Sequence, residues 1–342
     1  MENIILKGAC ALPTITWHRL NINDTSIEIP AELDYISEMN IENDGALVSS
    51  AQGSTEAPSS GIGSETEQFF ANKCDKKTIR VPKTKSAKLN VCIKGLADKI
   101  NVCAIDLIAE DASNTTLNLL FDATSKKPNF VCLLLRVFAG KHATVEVTSI
   151  STLPPSSTLI DAQAYSADER AQITVSHQVF GGAKTYSACT CDLYGNAAQA
   201  DIKTRYLARG DQSRDFNYII RHRGKETLSD IKANGVLCDH AQKTLRGTID
   251  FVHGCKGARG NEHENVILVG ESIDNKTIPV ILCDEDDVAG NHGATIGHIH
   301  PEQLFYLNSR GIADASAETL FTKSLLAEAL LETKDTPTTS TL

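Results

Sequence analysis

Between residues 78 and 285 the chain alternates apolar and polar side chains again and again, and this restricts its fold more than any other feature. Leu89/Val91/Ile93, Cys103/Ile105/Leu107, Leu133/Leu135/Val137, Val145/Val147, Ile173/Val175, Cys189/Cys191/Leu193 and Phe216/Tyr218/Ile220 each fall two residues apart. Successive side chains of an extended strand point to opposite faces, so each run gathers its apolar members on one face. Clusters of Gly, Asn, Asp and Lys separate the runs, as turns require. No amphipathic stretch of about twelve residues, an ordinary helix length, interrupts them. Two architectures satisfy this pattern. One is a sandwich or barrel; the other is a parallel β-helix, whose stacked coils build inward ladders of Val, Ile, Leu, Cys and Ala. Small inward residues such as Cys189 and Cys191 suit the second, but no fixed-length repeat decides between them.

The flanks read differently. Residues 1–77 form an N-terminal region in which "TITWHRLNI" offers Trp17 for packing. A flexible linker is expected over about 42–66, because "SSAQGSTEAPSSGIGSET" (49–66) is nearly empty of large apolar side chains and cannot offset its own ordering entropy. The β core is expected over 78–297 and a helical segment over 298–334. Pro301 suits a first helical position, Glu302 meets the positive end of the dipole, and Gly311 after Arg310 suits a left-handed stop. Asp314 or Ser316 can cap a second helix, whose Phe321, Leu325, Leu326, Ala329 and Leu330 form one apolar stripe. Residues 335–342 read as a disordered tail.

Composition excludes several function classes. The 33 basic and 43 acidic residues leave a formal charge of −10, which disfavours a general nucleic-acid binder. Arg205, Arg209, Arg214, Arg221 and Arg223 cluster, but Asp211 and Asp215 interrupt them, so the cluster reads as a solvated face. Most of the ten cysteines lie inside apolar runs and no C-x-x-C pair occurs, which is the pattern of buried free thiols. Neither a secretory signal nor an apolar stretch near 20 residues is visible, so a cytoplasmic chain without a membrane partner is expected.

Most candidate motifs fail on their own chemistry. "FGGAKTYS" (180–187) has Ala183 before Lys184, where a phosphate loop needs glycine, and neither H-E-x-x-H nor G-x-S-x-G occurs. A carbohydrate-processing β-helix enzyme would need clustered acids and an export signal, and neither is visible. "HGCKGARGNEHEN" (253–265) holds His253, Cys255, Glu262, His263 and Glu264, all able to ligate a metal, yet its glycines and charges read as a polar loop between strands. In "NHGATIGHIHPEQLFYLNSRG" (291–311), His298 and His300 would face one side of an extended segment. A structural zinc site takes about four donors, and nothing in the spacing of Cys283, Asp284 and His292 forces them to converge. His292 has small neighbours that would expose it on a turn where sheet gives way to helix, and a buried hydrogen-bonding role and a functional one are both open to it.

Read together, "DDVAGNHGATIG" (286–297) and "EQLFYLNSRGI" (302–312) resemble the signature of the SufB/SufD family, scaffold subunits of the SUF machinery for iron–sulfur cluster assembly. "TWHRLNIND", "IRHRGKETLSDIKANGVLCDHAQKTLRGTIDF" (220–251) and "NVILVG…IPVILCDEDDV" agree with it; the likeness is close over roughly 200–330 and diffuse before that. "HGAT" resembles the SufD branch, since the SufB branch more often carries Glu where Gly293 stands. The resemblance implies a mainly β fold: a right-handed parallel β-helix core with a short N-terminal region and a C-terminal α-helical segment. It implies a non-catalytic subunit working with a SufC-like ATPase and a SufB-like second scaffold; the alternative is a SufB-like homodimer that assembles the cluster with SufC alone. No tightly bound cofactor is implied, only transient iron or an iron–sulfur cluster at a subunit interface. His292 matches the motif histidine at that interface, as a cluster-assembly residue and candidate metal ligand. Leu304, Phe305, Tyr306, Arg310 and Gly311 match the segment that docks SufC. Two departures stand out: Gly290-Asn291 replace the Cys-Ser of many SufD-like motifs, and the N-terminal region is short for a full helical domain. A neutral imidazole can bind ferrous iron, but one histidine cannot hold a cluster, so a partner would have to donate the remaining ligands.

Overall fold

The computed structural model describes residues 3–14, 16, 20–50, 58–123, 125–313, 316, 319–320 and 323. Trp17, Asp314, the stripe Phe321/Leu325/Leu326/Ala329/Leu330 and the tail 335–342 lie outside the described residues.

From Lys76 to His298 the chain winds through about eight coils, each laying one strand in a first sheet and the next strand in a second. In both sheets, neighbouring strands are next-but-one in sequence and run parallel, which makes the body a β-solenoid and not a sandwich or closed barrel. The alternation in the sequence is the consequence: one side of every strand faces the lumen, and stacked coils bury Leu117, Val147, Val175 and Ile202 above one another. The lack of a fixed repeat also has a cause. Successive coils are offset by as few as 26 residues, where Thr158 pairs with Lys184, and by as many as 32, where Gln242 pairs with Asp274.

The turn leading into the second sheet is built the same way coil after coil. Thr84, Ala112, His142, Arg170, Ala197 and Glu226, each two residues before a second-sheet strand, adopt positive φ between 54° and 62°. A left-handed conformation costs a non-glycine residue on the order of 1 kcal/mol. Each such N–H is offset by a bond to the next coil: Ala112 donates to the Lys141 carbonyl, His142 to Glu169 and Ala197 to Lys225, all at 2.8 Å.

At the N-terminal end, strands Asn40–Asp44 and Leu47–Ser50 add to the first coil antiparallel, so parallel stacking stops there. Of the linker expected over about 42–66, residues 42–44 and 47–50 are therefore strand and 64–66 are helix. Free edges of the first coil supply hydrogen-bond partners that composition does not reveal. Ser60 and Ile62 are buried, and α1 (Ser64–Lys73) follows directly; residues 51–57 are outside the described set. The hairpin Ile4–Ala9/Thr25–Ile29 and α1 pack Ile27, Ile29 and Phe70 onto the outer face of the first sheet, against Val102, Cys132 and Ala162. Arg246 pins this layer: its Nε donates to the Ile22 carbonyl (2.6 Å) while Nη1 pairs with Asp215 (2.5 Å). Asn217 donates to the carbonyls of Gly61 (2.9 Å) and Ala11 (3.2 Å).

The arginine cluster is only partly the solvated face expected. Arg214 and Arg205 are buried. Arg214 donates to the carbonyls of Gly182 and Leu207 (both 3.1 Å), satisfying turn carbonyls from inside, and burial pulls its pKa down to about 10. Arg221 and Arg223 both reach Asp192, at 3.3 and 2.8 Å.

Candidate functional site

The solenoid's last coil, Asp274–Cys283 and Ala289–His298, has no coil above it among the described residues, and its strands are half-buried or exposed along their length. His292 lies within the final strand. The expected exposed turn is thus a strand that continues to His298, and His292 is exposed because stacking stops, not because the chain turns. In register it pairs with Glu262 of the seventh coil, whose side chain faces the lumen, so His292 faces the lumen side at its open mouth.

Beneath that mouth the lumen is polar. Lys243, fully buried, donates to both oxygens of Glu264 (2.8 and 3.0 Å) and to Thr277 Oγ1 (3.0 Å). Thr277 Oγ1 donates to Glu264 (2.6 Å), and the Tyr206 hydroxyl does the same (2.9 Å). Glu264 is thereby saturated. Glu262, beside it, is 4% exposed with Oε2 unpartnered, and burial, with the Glu264 charge adding, pushes its carboxyl up to about 7. Burial lowers the Lys243 ammonium, against the pull of Glu264. Deeper in, Gln163 donates to Asp161 and Ser149 (2.9 Å each), Tyr165 donates to Gln163 (2.5 Å), and the His177 ring lies over Tyr218 with Nδ1 3.4 Å from Asp161.

The polar loop expected over 253–265 therefore splits. Its first half turns, but from Arg259 it is a strand that drives Glu262 and Glu264 inward and His263 outward. Charges on alternate residues in "NEHEN" carry that signal, since only an extended segment gives them one face. Lys243 left no comparable trace.

The other histidines separate. His298 ends the strand, whereas His300 caps α2 (Pro301–Ser309): Glu302 N–H donates to its Nδ1 (3.4 Å), and its own N–H donates to Gln303 Oε1 (3.3 Å). Among the described residues no group of three or more His, Cys, Asp or Glu is placed to hold a metal ion. All ten cysteines are free, and Cys283 on the last coil is the exposed one.

Helix α2 presents Phe305 (75% exposed) and Tyr306 (57%) to solvent, with Arg310 stacked 5.2 Å over the Tyr306 ring. Leu304 and Leu307 are half-buried. Gly311 ends the helix at φ +82°, the left-handed stop its position calls for. Glu302, Gln303, Tyr306, Leu307 and Leu320 line a shallow cleft of about 450 Å³. Leu304, Phe305 and Tyr306 thus share one short helix with Arg310 as its C-cap, and the helix begins three residues after the strand that carries His292.

Comparison with known proteins bears on this arrangement. The chain is 29% identical over 228 residues to the iron–sulfur cluster assembly protein SufD of Bacillus subtilis, which covers 66% of this chain and 52% of that one. It is 31% identical over 161 residues to an iron–sulfur cluster assembly SufBD family protein of Staphylococcus saprophyticus, and 26% over 152 residues to one of Synechocystis; each match covers 44% of this chain. The chain spans about half the length of the first relative and about a third of the other two. A family model described as SUF system FeS cluster assembly, SufBD core domain, matches residues 92–325, which takes in nearly all of the solenoid together with α2. With two-thirds of its length inside that match, the chain belongs to the SufB/SufD family of the SUF iron–sulfur cluster assembly system.

Proposed function

We propose that this chain is a SufD-like, non-catalytic scaffold subunit of an iron–sulfur cluster assembly complex, working in the cytoplasm with a SufC-like ATPase and a SufB-like second scaffold. The observation that carries the reading is the open eighth coil, where an exposed imidazole lies on one of two strand edges that no described residue pairs. Such edges are templates for pairing with another chain. A single imidazole cannot retain a cluster, so the pairing chain would donate thiolate or carboxylate ligands across the junction. Iron and sulfide are cargo in this reading, held in passing and handed on.

Three further features support it. The exposed aromatic face of α2 suits a docking surface for the ATPase, whose hydrolysis would drive assembly. Ten free thiols suit a reducing compartment, and no helix among the described residues is long and apolar enough to cross a membrane. Gly293 stands where a self-sufficient SufB-like scaffold more often carries a carboxylate, which favours the hetero-complex over a homodimer.

The test is His292→Ala in the co-expressed complex. Recovery of both partners and the melting temperature should match wild type, while iron and sulfide content should fall roughly tenfold or more. Wild-type content in the variant overturns the reading.

A further inference from the structure

We infer that Glu262 is the second donor of the His292 site, so that the two side chains form a half-site for a divalent first-row cation at the mouth of the solenoid. This rests on the reading of His292 given above and adds a residue to it. The two are direct neighbours on adjacent parallel strands and face the same way. Adjacent strands lie about 4.8 Å apart. Ligand bonds of about 2 Å let one cation bridge a carboxylate and an imidazole at that separation.

Three independent observations single out Glu262. Its Oε2 has no hydrogen-bond partner although the residue is 4% exposed, and a buried lone carboxylate oxygen is costly unless something binds it. The neighbouring charges do not supply that partner, because the Lys243 ammonium is fully engaged by both oxygens of Glu264 and by Thr277. The opposite wall is also hollowed for the group. A Cβ on Gly247 would lie 2.0 Å from Glu262 Oε1 and 2.4 Å from its Cδ, so any side chain there would expel the carboxylate. The lumen mouth therefore holds two carboxylates against one ammonium, and His292 is the register neighbour, on the last coil, of the residue that carries the unmatched carboxylate. Mixed nitrogen and oxygen donors suit ferrous iron and its neighbours in the first row.

Cobalt(II), a redox-stable probe for such sites, should bind once per full-length chain in calorimetric titration. Glu262→Gln and His292→Ala should each weaken binding about tenfold or more, and the double variant should be no weaker than the worse single, as expected for two donors to one ion. His263→Ala and His298→Ala should bind as wild type. Undiminished binding in Glu262→Gln, or a loss that maps to His263 or His298, overturns the inference. If the glutamine variant does not fold, Glu262→Asp keeps the buried charge but shortens its reach; it too should weaken binding, and wild-type affinity there overturns the inference equally. Loss in His292→Ala without loss at position 262 sinks only this inference. Wild-type binding in both sinks the iron-contact reading of His292 as well.

Discussion

The side chains that decide what the lumen can do are those that break the apolar alternation: Asp161, Gln163, His177, Lys243, Glu262 and Glu264. Period-two reading finds inward faces by their apolar members, so a buried charge at an inward position looks like a loop residue until its neighbours are known. His292 was legible through its motif; Glu262 was visible but misplaced, and Lys243 was not legible at all. His222 is a further buried polar group with a measurable consequence. Its Nδ1 lies 2.7 Å from Thr227 Oγ1, its Nε2 2.8 Å from Ser229 Oγ, and its ring stacks on Phe251 at 4.9 Å. Burial holds its pKa down to about 4. An unfolded chain protonates this histidine near its ordinary pKa of about 6.5, whereas the folded chain resists until about 4. Stability is therefore lost as pH falls through that window, by on the order of 2–3 kcal/mol. Glu262 works in the opposite sense, since a carboxyl raised to about 7 favours the folded state below its unfolded pKa and loses that contribution as pH rises towards 7. Comparing urea unfolding of wild type and His222→Gln at pH 7 and pH 4.5 isolates the histidine. The gap between the two pH values should shift by that amount towards greater acid resistance in the variant, and an unchanged gap refutes the assignment.

Elements with a regular environment were the legible ones. Every solenoid strand has one face in the lumen, so its pattern survives in sequence, and α2 carries its proline start and glycine stop openly. Strands Asn40–Asp44 and Leu47–Ser50 were missed because their order comes from the edge they join, and α1 because two aromatics, Phe69 and Phe70, anchor an otherwise polar helix. The exposure of α2 makes a prediction at the same scale. Tyr306 contributes little to folding, so Tyr306→Ala should change stability by no more than about 0.5 kcal/mol. An aromatic anchor at the centre of an interface is worth about 2 kcal/mol or more, so the same variant, or truncation before Pro301, should weaken capture of a SufC-like ATPase by more than tenfold. Capture at wild-type strength removes the docking role from this helix.

The whole molecule is held as one body by contacts far apart in sequence. Arg246 joins the seventh coil to Ile22 and to Asp215 of the sixth, so the N-terminal layer that packs on the second, third and fourth coils is fastened to the sixth and seventh as well. Arg246→Ala should cost roughly 3–5 kcal/mol, the usual result of stranding one member of a buried ion pair. It should also expose sites within residues 1–63 to limited proteolysis before the solenoid itself is cut; a variant as resistant as wild type contradicts the latch. The overall architecture was legible only as a choice between sandwich and helix until the family likeness was added, because coils of 26 to 32 residues blur any repeat. The two ends of the stack differ in kind: one is blunted by short antiparallel strands bearing Glu42 and Asp44, while among the described residues the other is bare. A rod with two sticky ends polymerises, whereas a rod with one can be satisfied only once. If the bare end pairs as proposed, association through it would terminate at a pair instead of extending into a filament.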